Sequence, residues 1–276
     1  MKRGVLLVAY GSESLRGTTA LKLVQSLAEA RFRLPVRWAF TSEAMRLRLA
    51  LSRTKSDSVL KALHRMRFER YTHVAVQSLH LIPGEEYSAV AEDCRAAMSG
   101  SRFQVSLGSP ILSSGPAMET AARALIRHIS PLRAPDEPVV CMAHGSRQDY
   151  CAPLYAEWTD AVRRLDSMVH IACMIGEATL ENLLPILKAQ APASRRVWLL
   201  PLLSLVGRHT LEDMAGASDT SWKSRIEAAG LCCQAELRGL ADDPAFINLW
   251  LDKLASALAA FDAPLEERRP SLSPQP

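Results

Sequence analysis

The feature that most constrains this chain is an echo. Val5-Leu6-Leu7-Val8-Ala9-Tyr10-Gly11-Ser12 and Val139-Val140-Cys141-Met142-Ala143-His144-Gly145-Ser146 share one pattern at an offset of 134 residues. Each is a short apolar run that ends on a ring-bearing side chain and then breaks at Gly-Ser, which reads as a buried strand closed by a turn. In an open α/β sheet, ligands sit outside the carboxyl ends of the strands. His144 is therefore placed as a working group, and Tyr10 stands at its counterpart. A second echo aligns Val74–Glu86 with Val197–His209, with Gly84 and Gly207 coinciding at an offset of 123. The chain reads as two related halves.

The order of elements supports this. Strands are expected at 5–9, 36–40, 73–80 and 103–107, alternating with helical spacing over 15–32, 45–49, 59–66, from the end of a loop at 82–86 to about 98, and over 117–129. Ser42 and Ser56 or Asp57 are suited to cap helices. The second half repeats the alternation, with strands at 139–143, 169–174, 196–203 and 232–237 and helices near 153–165, 179–190 and 244–261, the last with Pro244 near its start. Strands alternating with helices predict an α/β fold of two related lobes, each a parallel sheet flanked by helices, with a cleft between them lined by strand ends. The expected boundaries are a first lobe over 1–130, a proline-rich linker at 131–138, a second lobe with the functional site over 139–261 and a disordered tail at 262–276.

Composition removes several functions. A net charge of +4 with scattered Lys and Arg, and only 6% aromatics, offers no basic stripe for nucleic acid. The apolar run after Met1-Lys2-Arg3 is too short for a signal or a membrane span. The six cysteines have no metal-ligand spacing and suit reduced thiols, so a cytoplasmic location is expected. No GxxxxGK[ST] or GxGxxG loop supports a nucleotide cofactor, and no GxSxG elbow is present.

What remains is imidazole and carboxylate at strand ends. His144, His209 and Glu177, which follows the strand at 169–174, suit a borderline divalent cation with open positions, and a neutral imidazole there would equally accept protons. From the first half come Tyr10, His80 and Glu85 or Glu86. His64, His73, His128 and His170 fall within helices or at strand starts and read as surface or capping residues, and Trp198 and Trp250 as core.

Several stretches together resemble a known family. They are Ala39-Phe40-Thr41-Ser42, Gln77-Ser78-Leu79-His80 with Pro83-Gly84-Glu85-Glu86-Tyr87, Gly108-Ser109-Pro110-Ile111-Leu112-Ser113-Ser114, Met142-Ala143-His144-Gly145, Pro201-Leu202 through Gly207 and His209, and Asp213-Met214-Ala215-Gly216 with Ser221-Trp222-Lys223. The chain resembles the anaerobic-type cobaltochelatases of cobalamin biosynthesis, which insert Co2+ into sirohydrochlorin without ATP. The resemblance implies the chelatase fold and a tetrapyrrole substrate, with Co2+ as a transiently bound substrate metal and no nucleotide. It implies His144 as metal ligand and proton acceptor, His209 as second metal ligand and Glu177 as the carboxylate. Tyr10, Gly11, Ser12, His80, Gly84, Glu85, Gly145 and Arg208 are the expected substrate contacts. No nucleic-acid or membrane partner is expected, and a homo-oligomer stays open.

The chain departs from the family pattern in three places. An ungapped alignment puts Ile175 at the metal-site glutamate, with Glu177 two residues on; an extended backbone would point both the same way, and a shifted turn would also bring Glu177 to that place. Arg208 stands where Gly-Asp-His is usual, and the acidic run before Ser221 is thinned to Ala217-Ser218-Asp219-Thr220. Iron or nickel insertion, and a non-catalytic tetrapyrrole or metal carrier, are the competing readings.

Overall fold

The computed structural model describes residues 1–52, 56–100, 102–113, 115–191 and 193–263. The strands expected in each half form two parallel sheets. The first comprises β1 (Arg3–Ala9), β2 (Val36–Phe40), β3 (His73–Ser78) and β4 (Gln104–Gly108), all parallel and ordered β2-β1-β3-β4. The second comprises β5 (Val139–Gly145), β6 (Val169–Ile175), β7 (Arg196–Leu202) and β8 (Cys232–Ala235), parallel and ordered β6-β5-β7-β8. The two orders are the same topology. Strand starts His73 and Arg196 differ by the 123 residues read from the sequence.

Helices form where serine caps and apolar spacing ask for them. α1 (Leu15–Phe32), α2 (Glu43–Leu51) and α3 (Val59–Phe68) start on Ser14, Ser42 and Ser58, whose hydroxyls accept from backbone N–H groups in the first turn, the third cap being Ser58 rather than the expected Ser56 or Asp57. α4 (Glu85–Met98) follows Gly84, and α5 (Pro116–Ile129) and α6 (Ala152–Leu165) carry proline in their first turns, where no hydrogen bond is lost. α7 (Leu180–Gln190), α8 (Trp222–Ala228) and α9 (Pro244–Ala259) complete the chain. One core lies between the first sheet and α3 and α4, around Leu6, Val8, Leu63, Met66, Val76, Val90 and Cys94. Another packs Val140, Met142, Val197 and Leu199 against Leu187, Trp222 and Ile226. Parallel strands buried on both faces read as continuous apolar runs, which is why the strands were legible.

The compact units differ from the expected halves at 1–130 and 139–261. The first is Met1–Ile111 together with the chain from Ile247 on, and the second is Leu112–Phe246. α5 belongs to the second unit, where it packs on α6. α9 returns to the first: Asp252 pairs with Arg31 at 2.6 Å, and Asp262 pairs with Arg3. An amphipathic helix covers whichever sheet face its stripe fits, so nearness in sequence does not assign it.

The segment 131–138 is likewise no linker between units. Arg133 donates to the carbonyls of Ala134, Pro135 and Glu137 and pairs with Asp166, all within the second unit. Of the expected disordered tail at 262–276, the residues beyond Ala263 lie outside those described. No helix among the described residues is long and apolar enough to cross a membrane.

Two histidines expected at the surface are core. His128 and His170 are each 2% exposed, with Nδ1 of His128 2.7 Å from Asp243 and Nε2 of His170 2.7 Å from Gln190. Burial draws both below the ordinary histidine pKa, against the opposing pull of these partners.

Glu137 has a testable consequence. Its buried carboxylate accepts from Trp198 Nε1 at 2.7 Å, Ala134 N at 3.1 Å and Arg196 at 3.1 Å. Desolvation would raise its pKa, but these donors outweigh it and the net shift is downward. A depressed carboxylate stabilises the fold above its unfolded pKa and loses that contribution as pH falls through the folded value. Glu137→Gln is therefore expected to cost about 1–3 kcal/mol at pH 7. In denaturant titrations across pH, the gap to wild type should close below the ordinary carboxylate range. A gap that stays constant to acid pH would refute this account.

Candidate metal centre

In the order β6-β5-β7-β8 the chain leaves β5 toward β6 on one side and toward β7 on the other. The crevice at such a reversal lies outside the carboxyl ends of the two central strands. His144 is the penultimate residue of β5, and its side chain is exposed although Val139–Ala143 before it are buried. Gly145 follows with φ +78°, a conformation that turns the chain out of the sheet.

From the other side, β7 ends at Leu202 and the loop leads into a π-helical turn over His209–Met214. Thr210 and Met214 of that turn are fully buried, which holds their predecessors His209 and Asp213 together at the accessible edge. The rings of His144 and His209 meet there, centroids 5.4 Å apart and planes at 66°.

Each ring is held from behind. Nδ1 of His144 lies 3.2 Å from the Gly145 carbonyl, and Nδ1 of His209 lies 2.6 Å from Oδ2 of Asp213. A peptide carbonyl and a carboxylate are acceptors, so each Nδ1 donates its proton and each Nε2 keeps a free lone pair. Two such imidazoles suit a borderline divalent cation and leave most of its coordination sphere open.

Glu177 is not brought onto them. Among the described residues, no group of three or more His, Cys, Asp or Glu side chains is arranged to hold a metal ion. The backbone does not stay extended past β6: Gly176 has φ +111°, and the Glu177 carbonyl accepts from Thr179 N at 2.9 Å and Asn182 Nδ2 at 3.0 Å. Glu177 thereby helps start α7, and its side chain is exposed. Arg208 is exposed and pairs with Glu212 at 3.3 Å. Its charge next to His209 is thus partly offset within the same turn.

The first unit repeats the geometry with other chemistry. Tyr10 follows β1, the topological counterpart of β5, and is 51% exposed. Gly11 has φ +107°, and a Cβ there would lie 2.6 Å from the Met45 side chain. Ser12 is 1% exposed, and its hydroxyl is engaged with Ser14, the cap of α1, so it shapes the loop. At the 123-residue offset, Glu86 occupies the place of His209.

His80 lies just beyond β3. Its Nδ1 pairs with Ser78 Oγ, and its Nε2 is buried with no hydrogen-bond partner. Burial lowers its pKa to about 4, against the pull of Glu86, so this imidazole is neutral at pH 7. Gly84 is buried before α4, and Glu85 is exposed in that helix's first turn. The sequence reading missed Asp213 as His209's partner. The signal was available in their four-residue spacing, but it becomes meaningful only once the segment is known to be helical.

Two parallel sheets of one topology, the second bearing a pair of accessible imidazoles at its strand reversal, define a two-unit α/β protein of the chelatase type. The chain belongs to the cobalt chelatase (CbiK) family, whose model matches residues 3–259. It is 49% identical over 263 residues to the sirohydrochlorin cobaltochelatase CbiKC of Nitratidesulfovibrio vulgaris, covering 95% of this chain and 92% of that one. It is 28% identical to the sirohydrochlorin cobaltochelatase of Salmonella typhimurium, covering 94% and 97%. Among solved structures, SirB from Bacillus subtilis with Fe3+ superposes with a TM-score of 0.68 at 16% identity, covering 95% and 98% of the two chains. The sirohydrochlorin chelatase SirB from Bacillus subtilis subspecies spizizenii in complex with cobalt gives 0.64 at 14% identity, covering 95% and 97%. These two structural likenesses establish the fold.

Proposed function

We propose that this chain inserts Co2+ into sirohydrochlorin without a nucleotide, in the cytoplasm, as a step of anaerobic cobalamin synthesis. The observation that carries this reading is the pairing of His144 and His209 at the β5/β7 reversal, rings 5.4 Å apart, with both Nε2 atoms free. Relatives named for this activity match nearly the whole chain.

Insertion removes two protons from pyrrole nitrogens as the metal passes from protein donors to the macrocycle. The donors must hold the metal loosely, and two imidazoles without a surrounding cage meet that need. His144, the more exposed of the pair, is assigned as the ligand that accepts one of the two protons as the metal leaves, and the other passes to solvent. Glu177 is assigned as the third donor. Gly145 pairs with Ile175 across β5 and β6, so Glu177 lies two residues beyond the end of the strand next to His144's, and it is exposed.

Tyr10, Gly11, His80, Gly84, Glu85, Gly145 and Arg208 are assigned to the tetrapyrrole, with buried Ser12 acting through the loop that carries Tyr10. For Arg208 the chemistry is specific. Its exposed pair with Glu212 is of the kind worth about 0–1 kcal/mol, so a substrate carboxylate competes for it readily.

The test is anaerobic insertion with Co2+, Fe2+ or Ni2+, followed by loss of the free-base spectrum. The fastest reaction is expected with Co2+. A faster reaction with Fe2+ or Ni2+ would reassign the metal, and tight porphyrinoid binding with no turnover would make the chain a carrier.

A further inference from the structure

The two imidazoles are backed unequally. His144 Nδ1 faces a peptide carbonyl at 3.2 Å, whereas His209 Nδ1 faces the Asp213 carboxylate at 2.6 Å. A carboxylate behind a metal-ligating imidazole fixes the tautomer and the ring orientation and raises the donor strength of the far nitrogen. A neutral carbonyl at longer range does this weakly.

Asp213 is held for this task by its surroundings. The buried pair Thr210 and Met214 pins the turn from inside. A Cβ on Gly216 would lie 2.3 Å from the Glu212 carbonyl, so the chain after Met214 must close tightly on itself. The N–H of Ala215 reaches back to the Thr210 carbonyl at 3.3 Å, the five-residue step of a π turn. The turn therefore brings His209 and Asp213 into register without using either side chain for packing.

We propose that Asp213 is a positioning residue that fixes His209 with its proton on Nδ1 and makes His209 the anchor of the substrate metal, leaving His144 as the ligand that releases it. This rests on the assignment of His144 and His209 as metal ligands. Such an asymmetry orders the metal exchange: the looser donor opens a coordination position first, while the firmer one keeps the metal at the site.

The test uses the full chain and cobalt chloride alone, so it does not depend on the tetrapyrrole reaction. In histidine-labelled protein without metal, long-range 1H–15N correlation should show His209 as the Nδ1–H tautomer, and Asp213→Ala should mix the tautomers. Co2+ affinity should fall about 10–100-fold in Asp213→Ala. Asp213→Asn, whose amide oxygen still accepts from Nδ1, should lie between that variant and wild type. His209→Ala should weaken Co2+ binding more than His144→Ala.

Thermal melts identify any variant that has lost its fold, and Asp213→Asn then carries the comparison. An Nε2–H tautomer for His209 in the wild type, or unchanged Co2+ affinity in Asp213→Ala, overturns the proposal. A chain that shows the tautomer and the affinity order but inserts no cobalt would overturn the functional reading and leave this one standing.

Discussion

His144→Ala is expected to reduce cobalt insertion by at least about 10²–10⁴-fold, the range that a positioned proton acceptor supplies, while leaving the protein folded. The two halves of this expectation have separate grounds. His144 is exposed, and its side chain meets the neighbouring Gly145 carbonyl at 3.2 Å and the edge of the His209 ring, so truncation opens no buried cavity. An exposed substitution of this kind shifts stability by about 0.5 kcal/mol or less. The loss of activity should therefore appear without a matching loss in melting temperature. Anaerobic decay of the sirohydrochlorin free-base bands with Co2+ is the measurement. Equal rates for variant and wild type would remove His144 from the reaction.

Gly145→Ala, one residue on, is expected to do the opposite and damage the fold first. A Cβ at Gly145 would lie 1.9 Å from the Ile175 carbonyl oxygen and 3.0 Å from the Cys173 side chain, and the backbone has φ +78°. Left-handed backbone costs a non-glycine residue about 1–2 kcal/mol, and forcing atoms into a packed site adds about 1–3 kcal/mol. The obstacle is backbone, held by the β5–β6 pairing of Gly145 with Ile175, so it has little room to move. The end of the β5–β6 ladder should open and carry His144 away from His209. Thermal melts should show a drop of several degrees, at about 2–4 °C per kcal/mol for a protein of this size. Gly207→Ala is the control, because no heavy atom lies within 4 Å of its added Cβ. Similar melting temperatures for the two variants would refute the steric account.

The legible parts of the fold are those set by local periodicity. β2 and α1 fall at the residues read from alternation and helical spacing, and most other elements fall within two residues of expectation. The 134- and 123-residue echoes reported two copies of one strand order because buried parallel strands leave an apolar run in the sequence wherever they occur. His144 and His209 were legible as strand-end histidines. Glu177 was read as reaching the metal either on an extended backbone or through a shifted turn, and the positive φ of Gly176 removes the first of these.

The sequence by itself determined the two α/β units, the strands that build them and the histidines at their strand ends, because these depend on residues near one another along the chain. The tertiary structure alone decided that α5 joins the second unit and α9 the first, since a helix's apolar stripe does not name the sheet it covers. It alone decided that His128 and His170 are core. And it alone brought His144 within 5.4 Å of His209, from segments 65 residues apart, because only the strand order β6-β5-β7-β8 puts the ends of β5 and β7 side by side.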